Sequence, residues 1–219
     1  MWYDNLIKEI VEAKNPTEAK AMEAYMKNNF IFLGVKKPIR EAIMTPYFKE
    51  QSKTKKIDWD FIQVMYTKKE REFQYLALDY LHKMKKYINP KDLPKIETLI
   101  TTHSWWETVD SAADLIYAAV SKDPNQKDII LTMSKNENMW LRRTSILYQR
   151  KAKKDTNKEI LEKTILNNLG TTEFFINKAI GWALREYAKT ESEWVLAFTE
   201  KHKNSLSPLS LREALKHFK

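Results

Sequence analysis

The sequence predicts an all-α protein: an α-solenoid of stacked helical hairpins lining a concave basic groove, with residues 1–219 forming one domain. Three observations carry this expectation. The chain is rich in Ala, Leu, Glu and Lys and holds three glycines and seven prolines in 219 residues, a mixture that favours helix over sheet. Apolar residues recur at helical spacing along almost its whole length, with no strand-like alternation or hairpin turn to compete. An aromatic-anchored segment also returns at a period near 35 residues, as in repeat architectures.

Taken in order, Leu6, Ile7, Ile10 and Val11 form the first apolar stripe. Met22, Tyr25, Met26 and Asn29 form a second, ahead of Phe30-Ile31-Phe32-Leu33-Gly34, where Gly34 suits a helix end. Pro38, in Lys36-Lys37-Pro38-Ile39-Arg40, fits the first turn of the next helix. Backbone N–H groups at such a start, helped by Lys37 and Arg40, suit a phosphate. Lys53-Thr54-Lys55-Lys56 has the composition of a solvated loop. Phe73, Leu76, Ala77, Tyr80 and Leu81 form a stripe that ends before Asn89-Pro90. Pro90, Pro94 and Pro124 mark helix boundaries, and no proline falls between Pro124 and Pro208. Shorter helices are expected over 93–101, 127–134 and 157–169.

Four segments overlay on the anchors Phe73, Trp106, Trp140 and Phe175, which are 33, 34 and 35 residues apart. Two helices per unit at this period suggest HEAT, armadillo or tetratricopeptide-like hairpins. Four positions after each anchor stand Ala77, Asp110, Thr144 and Ala179, so a carboxylate occupies an otherwise small, uncharged slot. One position earlier stand Leu76, Val109, Arg143 and Lys178; seven after the anchor stand Tyr80, Ala113, Leu147 and Trp182. Trp182 is thereby expected on the same groove as Trp106. In Ser104-Trp105-Trp106-Glu107 the Ser and Glu have capping-box spacing, which places a helix start there. Trp106 and Asp110 then lie one turn apart on one face.

The formal net charge is +9 with a pI near 9.4, a bias that attracts phosphate backbones, anionic membranes or acidic proteins. No stretch approaches the roughly 20 apolar residues of a membrane span, and the first residues lack the pattern of a signal peptide; a cytoplasmic protein is expected. There is no cysteine, hence no disulfide framework and no thiolate nucleophile. His82, His103, His202 and His217 are scattered without metal-ligand spacing, so neither metal nor cofactor is expected.

Asp110 admits two readings. It is a helix carboxylate salt-bridged to Arg142 or Arg143, or a carboxylate kept ionised beside cations in order to stabilise positive charge. Trp106 and Trp182 are core residues or groove residues; Trp105 beside Trp106 argues that at most one is centrally buried. Arg142-Arg143 and Lys151-Ala152-Lys153-Lys154 are solvated basic faces or phosphate contacts. Among reactions a lone carboxylate supports, N-glycosidic cleavage fits, because its transition state is an oxocarbenium-like sugar and indole faces add cation–π attraction.

Ordered motifs along nearly the entire chain resemble the AlkD family of DNA alkylation repair enzymes, HEAT-like repeat alkylpurine DNA glycosylases. They include Ala24-Tyr25-Met26-Lys27-Asn28, Glu70-Arg71-Glu72-Phe73-Gln74, Ser104-Trp105-Trp106 with Val109-Asp110-Ser111, and Trp140-Leu141-Arg142-Arg143. Phe174 to Trp182, Leu184-Arg185-Glu186-Tyr187-Ala188-Lys189 and Pro208-Leu209-Ser210 complete the set. The resemblance implies a monofunctional glycosylase that releases 3- and 7-alkylated purines from duplex DNA without seating the lesion in a tight pocket, unlike the usual base-flipping enzymes. It implies Asp110 as the catalytic carboxylate, Trp106 and Trp182 packing on the sugar, Arg143 steering a phosphate and Lys151 contacting one. Tyr25, Lys37, Arg40, Arg142 and Arg185 join the expected DNA-binding set, on a monomer bound to the nucleoid of a bacterial cytoplasm. Where the family often carries polar or threonine residues before the proline, this chain reads Val35-Lys36-Lys37-Pro38, a departure expected either to strengthen nonspecific phosphate contacts or to shift preference among DNA structures. The alternatives are a noncatalytic module for branched or distorted DNA and a protein-binding solenoid.

Overall fold

The computed structural model describes residues 1–123, 125 and 127–218; the boundary expected at Pro124 lies outside the described residues. Among the described residues the protein is all-α, and its one β-bridge pairs Ile31 with Glu70. Packing divides the chain into two compact units, Met1–Ile88 and Asn89–Lys219.

The first unit contains α1 (Asp4–Glu12), α2 (Pro16–Tyr25), α3 (Lys37–Gln51), α4 (Trp59–Thr67) and α5 (Arg71–Lys83). Leu6 and Ile10, one turn apart on α1, are fully buried, and α1 packs on α3 while α4 and α3 pack on α5. Asn15 caps α2 by accepting from the N–H groups of Thr17 and Glu18, with Pro16 opening the helix. Gly34 does not end this helix. The helix stops at Tyr25, and Lys27 and Asn28 follow with left-handed backbone at φ +58°. The apolar run from Phe30 is instead an extended segment, tied by the Arg71 N–H donating to the Ile31 carbonyl at 2.9 Å. Gly34 has φ +86°, and a Cβ there would lie 2.0 Å from the Asn15 carbonyl oxygen, so only glycine fits. The buried Glu72 carboxylate accepts the N–H groups of Leu33, Gly34 and Val35 at 3.0, 2.8 and 3.0 Å, which fixes this turn.

The second unit contains α6 (Leu93–Thr101), α7 (Trp106–Val120), α8 (Lys127–Ser134), α9 (Met139–Leu147), α10 (Lys158–Leu166), α11 (Phe174–Ala188), α12 (Ser192–Lys201) and α13 (Pro208–Ala214). Helices α7, α9, α11 and α13 pack in succession as one row. Of the alternate helices, α6 packs on α7, α8 and α10 on α9, and α12 on α11 and α13. This is the two-layer hairpin stack expected from the repeat. Ile146, Leu147, Leu161, Ile165, Ile176, Ile180, Leu184 and Val195 fill the space between the layers. Asn138, Asn157 and Ser207 cap α9, α10 and α13 with side-chain oxygens. Gly181 faces α13 so closely that a Cβ would lie 2.5 Å from the Glu213 Cβ and 2.8 Å from the Ser210 carbonyl oxygen. The Ser210 hydroxyl bonds the Asn177 carbonyl at 2.8 Å across the same interface.

Candidate functional site

The site is built on the N-terminal turns of α7, α9 and α11. The capping box expected at Ser104 does not form. Trp105 holds the N-cap position with extended backbone (φ −157°, ψ 161°) and no side-chain cap, while the Ser104 hydroxyl donates to the Ile100 carbonyl at 2.7 Å. The reason is the Trp105 ring, whose centroid lies 5.9 Å from that of Trp140 and 5.3 Å from that of Phe175, with Trp140 and Phe175 5.1 Å apart. The repeat anchors in this unit are therefore Trp105, Trp140 and Phe175, at even spacings of 35, and Trp106 lies one residue past the register. Both adjacent indoles are half-buried.

Counted from the helix starts, Asp110, Arg143, Lys178 and Arg212 occupy the same position of α7, α9, α11 and α13. In this count, which differs from that of the ring anchors, the position is cationic in the later helices and Asp110 is its one carboxylate. The consequence is direct. Arg143 Nε donates to Asp110 Oδ1 at 2.7 Å and Nη2 to Oδ2 at 2.8 Å, a bidentate fork. Its Nη1 donates to the Phe175 carbonyl at 2.5 Å. The side chains of Arg143 and Asp110 are 3% and 9% exposed, so Arg143 is turned inward and is not placed to steer a phosphate. It orients the carboxylate. An ionised carboxylate offers about four lone-pair sites, and the fork takes two of them.

One turn on, Asp114 is buried and accepts from Arg150 Nη2 at 3.2 Å and from Lys151 Nζ at 2.6 Å. Arg150 Nη2 also reaches the Asp110 carbonyl at 3.3 Å, and its guanidinium carbon lies 4.4 Å from the Trp182 ring centroid. Glu186 stands one turn along α11 from Trp182. Burial would raise that carboxyl, but the Lys189 hydrogen bond, the Trp182 indole and the nearby Arg185 charge hold it below its ordinary value. Trp182 is therefore covered on one face by Arg150. Arg150 and Asp114 were not legible as site residues, although Asp114 stands four after Asp110 and Arg150 seven after Arg143. Arg150, Lys151, Lys153, Lys154, Glu186 and Lys189 line an open, cation-rich depression beside this cluster.

The remaining candidates divide. Lys151 has a 71% exposed side chain and can exchange Asp114 for another anion. Arg142 is committed to the Asn136 and Glu137 carbonyls at 2.8 and 2.9 Å, which secures the turn after α8. Arg185 is bound to Glu213 at 2.6 Å. Burial would raise the Glu213 carboxyl, yet hydrogen bonds from Lys216, Lys178 and Arg185 bring it down to about 2. Tyr25, Lys37 and Arg40 belong to the first unit. Tyr25 is 68% exposed and Lys37 is exposed at the start of α3, 3.5 Å from Glu41. Arg40 is buried, bonded to Asp79 at 3.3 Å and stacked on Tyr75 at 4.9 Å; it does not face a phosphate. Among the described residues no group of three or more Asp, Glu or His could hold a metal ion.

A helical-repeat unit that carries a buried carboxylate on a guanidinium fork, beside an aromatic row and a basic depression, defines a class of cation-rich helical-repeat proteins. The comparisons specify the class. The model of the DNA alkylation repair enzyme family matches residues 6–218, and the chain belongs to that family. A solved structure described as a predicted DNA alkylation repair enzyme from Enterococcus faecalis is 33% identical, with a TM-score of 0.84 over 93% of this chain and 96% of that one. No curated protein matches. The protein is thus an all-α enzyme of DNA alkylation repair, in line with the AlkD resemblance. Among the described residues no helix is long and apolar enough to cross a membrane.

Proposed function

We propose that this enzyme is a monofunctional DNA glycosylase that hydrolyses the N-glycosidic bond of 3- and 7-alkylated purines in duplex DNA. The observation that carries the reading is the Asp110–Arg143 fork, which holds an anionic oxygen in fixed orientation within a largely buried, aromatic-flanked setting. An alkylated purine already carries positive charge, so its leaving group needs no protonation. What remains is to stabilise the sugar cation and to place water, a task for preorganised negative charge. Asp110 performs both through its unoccupied lone pairs, while Trp106 and Trp182 pack on the deoxyribose. Because a guanidinium already covers one face of Trp182, that ring contributes apolar contact more than cation–π attraction. Lys151 and the neighbouring depression hold the phosphate backbone, and the protein acts as a monomer on cytoplasmic DNA.

The test is release of 7-methylguanine or 3-methyladenine from methylated duplex DNA. Release without a borohydride-trappable adduct supports the mechanism; a trapped adduct, or no release under conditions of DNA binding, rejects it. The sealing of Asp110 by Arg143 favours one second reading, a noncatalytic module for distorted DNA. That reading predicts salt-sensitive binding that Asp110→Asn leaves unchanged, with no base released.

A further inference from the structure

Arg150 lies in the turn after α9 and is the residue through which Asp110 and Trp182 are joined. Its Nη2 donates to the Asp110 carbonyl at 3.3 Å and to both Asp114 oxygens at 3.2 and 3.3 Å. The same planar group covers the Trp182 ring at 4.4 Å. One turn of chain therefore touches α7 on one side and α11 on the other. The side chain is 7% exposed, and its Nη1 is buried without a hydrogen-bond acceptor. A guanidinium that served only to tie helices together would be expected to satisfy that donor, because a buried unpaired N–H opposes folding. Arg143 and Arg185, by contrast, direct their Nη1 atoms at acceptors. What Arg150 gains in its position is the stack on the indole, which a lysine ammonium cannot reproduce because it has no plane.

We propose that Arg150 is a positioning residue for base excision, an inference that rests on the glycosylase reading. It sets the plane of the Trp182 ring relative to the Asp110 carboxylate by stacking on one face. The opposite face of the ring is then presented at a fixed angle to the sugar. Asp114 completes the device by holding the guanidinium in place, and Lys151 links Asp114 to the exposed basic surface.

The experiment uses the full chain and two variants, Arg150→Met and Arg150→Lys, each also made in a Trp182→Phe background. Three quantities are read: the single-turnover rate of 7-methylguanine release, Kd for the same duplex, and acrylamide quenching of the Trp182 fluorescence obtained by difference. Both single variants are expected to slow release by about 10- to 100-fold, the scale of a misplaced catalytic contact, with Kd changed less than about threefold. Both are expected to make Trp182 more accessible to quencher. In the Trp182→Phe background Arg150→Met should add less than about twofold, because the two residues act as one unit. Wild-type rate and quenching in Arg150→Lys would overturn the proposal, as would losses that multiply in the double variant or that track the folded fraction alone. Should the wild-type protein release no base, the glycosylase reading fails and the role in excision falls with it; quenching then separates the two failures, since increased accessibility of Trp182 shows that Arg150 holds the ring without serving excision and unchanged accessibility shows that it does not hold the ring either.

Discussion

Two buried carboxylates in the second unit, Asp110 and Glu213, are both met by cations, yet they are built for different ends. Glu213 gathers Lys178, Arg185 and Lys216 at 2.9, 2.6 and 2.6 Å, from α11 on one side and from its own end of the chain on the other. Its partners are long, partly exposed side chains, and α11 and α13 meet there at Gly181. Asp110 has a single buried guanidinium in a fork, with rings around it. Three cations on one carboxylate make a strut between helices. One cation on one carboxylate leaves lone pairs with which to do chemistry.

Four measurements break or sharpen that contrast, the largest first. Asp110→Asn should lower base release by about 10²- to 10³-fold, the usual range for a preorganised electrostatic group. It also leaves the Arg143 charge buried, and breaking a buried pair costs about 3–5 kcal/mol, so release must be compared per folded molecule after thermal melting. Glu213→Gln should do the reverse: stability falls while release per folded molecule holds. The folded-state carboxyl lies at about 2, below its ordinary value, so the strut contributes fully above about pH 4.5 and is lost as pH falls toward 2. By linkage that is on the order of 3 kcal/mol, and acid unfolding of Glu213→Gln should lack this part of the slope.

Gly181→Ala comes next, with an expected cost of about 1–3 kcal/mol from overpacking against α13; an unchanged melting temperature would mean that α13 can shift. The smallest effect belongs to Lys151→Ala. It should reduce the salt dependence of DNA binding by about one phosphate contact with the melting temperature unchanged, and an unaltered slope would remove Lys151 from the interface.

The helices were legible because local signals agree with their packing. The spans expected at 93–101 and 127–134 coincide with α6 and α8, where apolar residues recur at helical spacing, with Pro94 in the first turn of α6. Register was less legible. Trp105 and Trp106 are the same residue type side by side, and only the ring contacts with Trp140 and Phe175 decide which is the anchor. Gly34 misleads for a similar reason, since a glycine after an apolar run resembles a helix stop, whereas its real constraints come from Asn15 and Glu72. The commitments of Arg40, Arg142 and Arg185 were invisible, because Arg40 and Arg185 are paired with carboxylates far along the chain and Arg142 donates to carbonyls of a preceding turn. Asp110 was legible as paired with Arg142 or Arg143, and the structure selects Arg143. Arg150 was not legible, because it follows the end of α9, where helical spacing no longer says which way a side chain points.

The most direct test places wild type and Asp110→Asn side by side on methylated duplex DNA, with release of 7-methylguanine corrected for the folded fraction of each. Release by the wild type, with a loss of about 10²-fold or more in the variant, is the predicted result. Equal release from the two proteins, or none from a wild type that binds the duplex, would contradict it.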